Sequence, residues 1–275
     1  NGVAMTDACF ECLPPYAAWL SMQERNNYSR FLAAARSGFL PLSDQTINND
    51  GLMKWAYNVA LTRHQEVWVP SRQKKIAPMA DMFNHAANPN VAITYDEEGN
   101  CMVTAVQDVQ PGEALTVSLG NPSNPTPIFA KYGFLPEDCT NIFCKAVHLL
   151  DEIEILGYDF KDLLFSAETG DIAPKVWDLF LYTMLRDDAN GDQFLAACLS
   201  EDEATKQQFH GQYFQYTLQA LKTHVDSILD DVDRLSMKAQ SYDLNTHPRV
   251  PVILAHNDLV KRTFINVKAQ LDAMG

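Results

Sequence analysis

Positive charge is scarce in this 275-residue chain: 21 Lys and Arg stand against 35 Asp and Glu, a formal net charge of -14. No segment is basic enough to track a phosphate backbone, so no nucleic-acid partner is expected. Long hydrophobic runs are missing as well. Nothing approaches the ~18 apolar residues of a membrane span, and Asn1-Gly2-Val3-Ala4 carries no signal-peptide pattern. The first residue is not Met, and the chain reads as processed or truncated there. Cysteine forms no framework. Of Cys9, Cys12, Cys101, Cys139, Cys144 and Cys198, only Cys9-x-x-Cys12 has metal or redox spacing, and no second pair completes a zinc site. Buried thiols are the simpler reading, and thiols without a secretory signal point to a reducing, intracellular compartment. Also absent are the Gly-x-x-x-x-Gly-Lys phosphate loop, Gly-x-Gly-x-x-Gly, the Gly-x-Ser-x-Gly elbow and a histidine pair at i, i+4.

What is present is a globular composition, 47% hydrophobic and 20% charged, long enough for one large or two ordinary domains. The acid surplus suits a basic partner such as a Lys-rich peptide. One stretch stands out. Ala77-Pro78-Met79-Ala80-Asp81-Met82-Phe83 is mostly apolar and ends in Asn84-His85, then runs to Asn88-Pro89-Asn90. It reads as a buried element that delivers polar side chains into an irregular loop.

Before it, Tyr16 to Leu20 is apolar, Phe31 to Ala35 looks helical, and Pro41 to Asp50 is rich in turns. Gly51 to Leu61 reads as a helix with Leu52, Trp55, Ala56 and Val59 on one face. His64, beside Trp68, is read as packed or solvated, with no charge relay near it. After the stretch, Val91 to Tyr95 and Cys101 to Val109 read as a hairpin about a turn at residues 96–100. Gln110-Pro111-Gly112-Glu113 is a second turn, Ala114 to Leu119 a short strand, and Ile128 to Phe134 a helical piece closing at Gly133. From about Leu149 the period is helical. Ile172, Val176, Trp177, Phe180, Leu181, Met184 and Leu185 form one face. Phe214, Leu218, Leu221, Val225, Ile228, Val232 and Leu235 form a second, read as one helix of a bundle rather than a coiled coil. Val260, Phe264, Val267 and Leu271 form a third. Residues 187–191 and 245–251 read as loops. The fold expected is α+β: a β-rich domain over 1–145, with a helical part at 1–76 and core motifs at 77–145, then an all-α domain over 146–275.

Four features from Trp55 to Phe134 resemble the C-terminal half of the SET domain, in the class of the Rubisco large-subunit lysine methyltransferase. They are Trp55-Ala56-Tyr57 to Arg63; Ala77 to Asn90 with its Asp-Met-x-Asn-His core; Pro111-Gly112-Glu113; and Ser-Asn followed by Tyr132-Gly133-Phe134. The helical tail is similar, more loosely, to that family's substrate-binding domain. The resemblance implies S-adenosylmethionine as cofactor, in a knot-like site where Asn84, His85, Tyr132 and Phe134 contact it. Asn84 would use its side chain and His85 mainly its backbone, Tyr132 would line the transfer channel, and Ser123 and Asn124 would support the knot. The reaction implied is methyl transfer to a lysine of a protein substrate. Positioning and electrostatics do the work, without a metal, and a narrow channel favours the neutral amine. Without the resemblance, Asn84 and His85 read as a capped turn with a buried histidine, and Tyr132 as a core aromatic.

Two departures qualify it. Leu119-Gly120 stands where the family usually has Tyr-Gly, and leucine offers no hydrogen bond. Residues 1–50 show no counterpart of the family's N-terminal glycine-containing strands. A catalytically weak or inactive SET-like scaffold that binds proteins is therefore the alternative, and transfer to another nucleophile such as histidine is a third reading. The resemblance does not choose among chloroplast, cytoplasm and nucleus.

Overall fold

Pro15 opens helix α1, Pro15–Arg36, at a first-turn position where its missing N–H costs nothing. No further proline or glycine interrupts the run. The two short apolar pieces seen at 16–20 and 31–35 are therefore the ends of one 22-residue helix, joined by the polar turn Gln23–Asn27. Helix α2, Asp50–Arg63, starts where the Asn49 side chain accepts the Leu52 N–H at 3.0 Å. The expected apolar face of α2 is not the buried one. Met53 is buried, whereas Trp55 is 63% exposed. The reason is aromatic: Tyr57 packs edge-on against Tyr28 of α1 at 5.3 Å, with Phe31 5.5 Å away, and its hydroxyl donates to Glu24 at 3.1 Å. That contact turns the Met53–Tyr57 side toward α1.

The computed structural model describes residues 2–38, 41–68, 71–121, 124–136, 139–187 and 189–275. The chain forms two units. The first comprises Asn1–Phe10, Ala17–Pro122 and Pro127–Asp138; the second comprises Glu11–Tyr16, Ser123–Thr126 and Cys139–Gly275.

In the first unit, all strands of the described residues pair two by two. Strands β1, Gln65–Val67, and β2, Gln73–Lys75, are antiparallel, two strands that were not expected within the part read as helical. Strand β3 is Asn84–His85. Strands β4, Val91–Tyr95, and β5, Cys101–Ala105, form the expected hairpin, with Tyr95 opposite Cys101. Asp96 shapes the turn by accepting the N–H groups of Glu98 and Asn100 at 3.0 and 2.8 Å, and Gly99 takes a positive φ of 83°. Strand β5 stops four residues short of Val109, and β6 is only Thr116–Val117, paired parallel to β3. Between them lies the turn at 110–113, with Gly112 at φ 85° and the Glu113 N–H on the Gln110 carbonyl at 3.0 Å. Helix α3, Pro125–Tyr132, ends as expected at Gly133, whose φ is 83°.

The second unit carries strands β7, Asn141–Phe143, and β8, Leu164–Ser166, which pair antiparallel. Its longer helices are α4, Pro174–Leu185; α5, Ala189–Leu199; α6, Glu203–Gln240; and α7, Val250–Ala273. Leu218, Leu221, Val225, Ile228, Val232 and Leu235 of α6 are buried, and α7 packs along α6 with Val260, Phe264, Val267 and Leu271 buried. The expected α4 stripe is buried at Val176, Phe180, Leu181 and Leu185, while Met184 is exposed. Two loop readings are corrected. Gly191 lies inside α5, where a Cβ would come within 2.2 Å of the Leu185 carbonyl oxygen, so this glycine permits close packing. Pro251 sits in the first turn of α7, where proline is tolerated. The architecture is thus α+β, with helical structure dominating the C-terminal part. No helix of the described residues is long and apolar enough to cross a membrane.

Candidate active site

Met79 takes a positive φ of 72°, a single 3₁₀ turn follows at Ala80–Met82, and the chain then straightens into β3. Two residues pair parallel there: Asn84 with Thr116 and His85 with Val117, and the ladder extends through the Ala86 N–H to the Val117 carbonyl at 3.0 Å. So short a ladder needs other support. Asn90 supplies it: only 3% exposed, it donates through Nδ2 to the Ala114 carbonyl at 2.9 Å and to Glu113 at 3.1 Å. Its Oδ1 accepts the Thr116 N–H at 2.8 Å. One buried amide thus replaces the backbone partners that the irregular chain on both sides lacks. The second asparagine of Asn-Pro-Asn is part of the scaffold.

The expected site residues converge. Asn84, His85, Tyr132 and Phe134 line one cleft of about 550 Å³, together with Leu119. Asn84 is exposed to solvent on β3, and its side chain has no hydrogen-bond partner among the described residues. His85 accepts the Leu119 N–H through Nδ1 at 3.1 Å, which leaves the proton of the neutral ring on Nε2. That nitrogen is buried without a partner. Sequence reasoning expected His85 to act through its backbone; its ring also anchors the backbone of the substituted position, Leu119. Phe134 sits 5.9 Å from the His85 ring and 6.2 Å from Tyr132, so three rings form one wall.

Arg63 and Asp81 complete that cleft, and no role had been assigned to them. Arg63 ends α2 and donates to the Asp81 carbonyl at 2.6 Å, with the Asp81 carboxylate 3.8 Å away. Their only sequence signal was membership of the Trp55–Arg63 and Asp-Met-x-Asn-His motifs. His64 bonds locally, its Nδ1–H donating to the Ala60 carbonyl oxygen at 2.6 Å at the end of the helix.

A second cleft of about 490 Å³ shares Thr62, Arg63, Asp81, Phe83, Leu119 and Tyr132 with the first. It adds Gln65, Glu66 and Tyr95 and an apolar floor at Val91–Ile93. The Tyr95 hydroxyl donates to Gln65 Oε1 at 2.6 Å. Burial, with a smaller contribution from hydrogen bonding to Cys101, pushes its pKa up to about 12, so the phenol stays neutral.

Asn124 lines neither cleft; it is buried in the second unit, its amide 3.5 Å from the Tyr16 hydroxyl. Ser123 lies outside the described residues. Cys9 and Cys12 are buried thiols, as the simpler reading had it. Among the described residues, no three His, Cys, Asp or Glu side chains gather as a metal ligand set.

Comparison with known proteins bears on this geometry. A family model of the SET domain matches residues 11–120, reaching further toward the N-terminus than the motifs do. SET domain-containing protein 8 of Schizosaccharomyces pombe is 26% identical over 95 residues, which span 34% of this chain and 22% of that protein. The chain therefore corresponds to a minor part of that relative's length. Among solved structures, the SET domain of LSMT bound to lysine and AdoHcy matches with a TM-score of 0.60 at 11% identity, covering 98% of this chain and 67% of that one. The likeness is one of fold. It agrees with the SET-domain model's match over residues 11–120.

Proposed function

We propose that this protein transfers a methyl group from S-adenosylmethionine to a lysine side chain of a protein substrate, and that it is of the Rubisco large-subunit methyltransferase class. The observation that carries the reading is the convergence of Asn84, His85, Tyr132 and Phe134 on one cleft, within a chain that matches the SET domain over 11–120. The residues present fit such a cofactor. The cleft volume of about 550 Å³ lies in the range of small-molecule sites. Phe83, Tyr132 and Phe134 offer ring faces to an adenosyl group. Asn84 has a free amide, and Arg63 with Asp81 presents the two charges that an α-carboxylate and an α-ammonium require. Bound there, the sulfonium supplies a methyl whose transfer breaks the S–C bond, forms an N–C bond and leaves a thioether, with the amine proton passing to solvent.

The chain's own contribution is positional. His85 holds the Leu119 backbone, Asn90 holds β6 against β3, and Arg63 holds Asp81, so the wall between the two clefts is braced from three sides. The structural neighbour bound lysine and AdoHcy, which supports the choice of acceptor and donor. The acidic helical unit supports a basic protein substrate.

Leu119 favours a second reading, a SET-like scaffold that binds protein without transfer. Loss of one positioned donor typically costs about 10²–10³ in rate. Titration of the full chain with S-adenosylmethionine in a calorimeter separates the readings, with Asn84→Ala as control. We expect binding that weakens roughly ten- to a hundredfold in Asn84→Ala, one hydrogen bond to a charged group being worth roughly 1.5–3 kcal/mol. No heat from the wild type sinks the enzyme reading. Binding without methyl transfer to any lysine-containing protein favours the scaffold.

A further inference from the structure

Arg63 holds two acceptors with one nitrogen. Its Nη1 donates to the Asp81 carbonyl at 2.6 Å and to Met82 Sδ at 3.8 Å. Asp81 and Met82 are neighbours in the 3₁₀ turn Ala80–Met82, just ahead of β3, so this turn presents both acceptors to the last residue of α2. All three residues line the Asn84–His85 cleft. A thioether is a weak acceptor, so the sulfur does not compete with the carbonyl and the guanidinium stays on Asp81. Met82 is nevertheless open to reagents, at 69% exposed. Met79, 81% exposed, and Met102, 51% exposed, line neither of the two clefts. Met82 is thus the methionine at which a change in sulfur chemistry reaches the cleft.

Oxidation is such a change. Attack of the sulfur on a peroxide breaks the O–O bond, forms an S–O bond and releases the second oxygen as water, two electrons passing from sulfur to peroxide. A sulfoxide reductase reverses the step, the oxygen leaving as water while two thiols close to a disulfide. The sulfoxide oxygen is a strong acceptor on a side chain that already meets Arg63. It competes with the Asp81 carbonyl for the guanidinium, and each turn of Arg63 toward it loosens the pair of charges that would receive the amino-acid end of the cofactor.

Resting on the methyltransferase reading above, we propose that Met82 is an oxidation site whose sulfoxide draws Arg63 off Asp81, so that a peroxide lowers the affinity of the cleft for the cofactor and sulfoxide reduction restores it.

The test titrates the full chain with AdoHcy before and after treatment with hydrogen peroxide, in wild type, Met82→Leu and Met82→Gln. Peptide mass mapping locates the added oxygens, and melting temperatures confirm that each protein is folded. We expect the wild type to lose affinity roughly three- to tenfold after peroxide, the range of one hydrogen bond. Methionine sulfoxide reductases of both stereospecificities, with dithiothreitol, should restore it, and dithiothreitol alone should not. Met82→Leu, compared with itself before treatment, should lose nothing. Met82→Gln, whose amide oxygen stands in for that of the sulfoxide, should bind more weakly than Met82→Leu without any peroxide. Unchanged affinity in a wild type oxidised at Met82 overturns the proposal and leaves the methyltransferase reading standing. So does a Met82 that stays unoxidised while Met79 takes up oxygen, or an equal loss in Met82→Leu. A loss that dithiothreitol alone repairs belongs to a cysteine and overturns it, as do equal affinities of Met82→Gln and Met82→Leu. A wild type that binds no AdoHcy before treatment defeats the methyltransferase reading first, and this proposal with it.

Discussion

Asn90 supports the site although it lines neither cleft. It lies in a loop, yet it fixes the start of β6 through hydrogen bonds to Ala114, Thr116 and Glu113. Asn90→Ala would leave the Thr116 N–H and the Ala114 carbonyl without their partner in a buried place, at a cost of about 2–3 kcal/mol. Chemical denaturation of the variant should show that loss, and S-adenosylmethionine affinity should fall with it, because β3 carries Asn84 and His85 and, among the described residues, pairs only with β6. The convergence of Asn84, His85, Tyr132 and Phe134 was legible from motif order. The division of labour was not. Asn84 and Asn90 are the same residue type six positions apart, and only the pairing of β3 with β6 decides that one faces solvent and the other is buried.

At the scale of elements, the helices of the second unit were the most readable part of the chain. The stripe from Leu218 to Leu235 on α6 repeats every three or four residues, and the contacts it predicted are made with α7. Val225 is fully buried on that stripe. Val225→Ala should cost about 1–3 kcal/mol by thermal or chemical denaturation, from lost transfer energy and the cavity left behind. Exposed Met237, on the same helix, should tolerate alanine within about 0.5 kcal/mol. Short strands were harder to place. β6 was read as six residues and is two, and β1–β2 was not read at all, because strands of two or three residues carry no measurable period. The buried face of α2 was misread for a related reason. Tyr57 counts as amphipathic by composition, but its ring contacts on Tyr28 and Phe31 decide which side faces inward.

At the scale of the whole molecule, stability should depend on pH through groups buried in the second unit. Lys145 is 1% exposed, donates to the Thr126 hydroxyl at 2.7 Å and lies 5.0 Å from the centre of the Tyr16 ring. Burial pushes its ammonium down from 10.5 to about 7. Between those values the unfolded chain keeps a proton that the folded chain has released, so stability rises with pH across that window. His224 and His256 act in the same sense at lower pH, since burial holds them down at about 4 and about 3. The unfolded chain takes up those protons below about 6.5, the folded chain does not, and stability is lost as pH falls toward 4. The melting temperature should therefore climb from pH 4.5 to pH 9, and Lys145→Met should flatten the climb above pH 7. A flat profile in the wild type would contradict the neutral buried lysine. By itself, the sequence determined the class of fold, the long helices and the hairpin turns, because these follow from local periodicity and from glycine and proline conformations; the resemblance carried by its motifs implied four residues of the Asn84–His85 cleft. Only the tertiary structure decided that Asn90 is scaffold, that His85 grips Leu119, that Arg63 and Asp81 join the cleft, and that Lys145 is buried without a carboxylate among its hydrogen-bond partners. Those facts arise from contacts between residues far apart in the chain, whose burial and pairing no local pattern encodes.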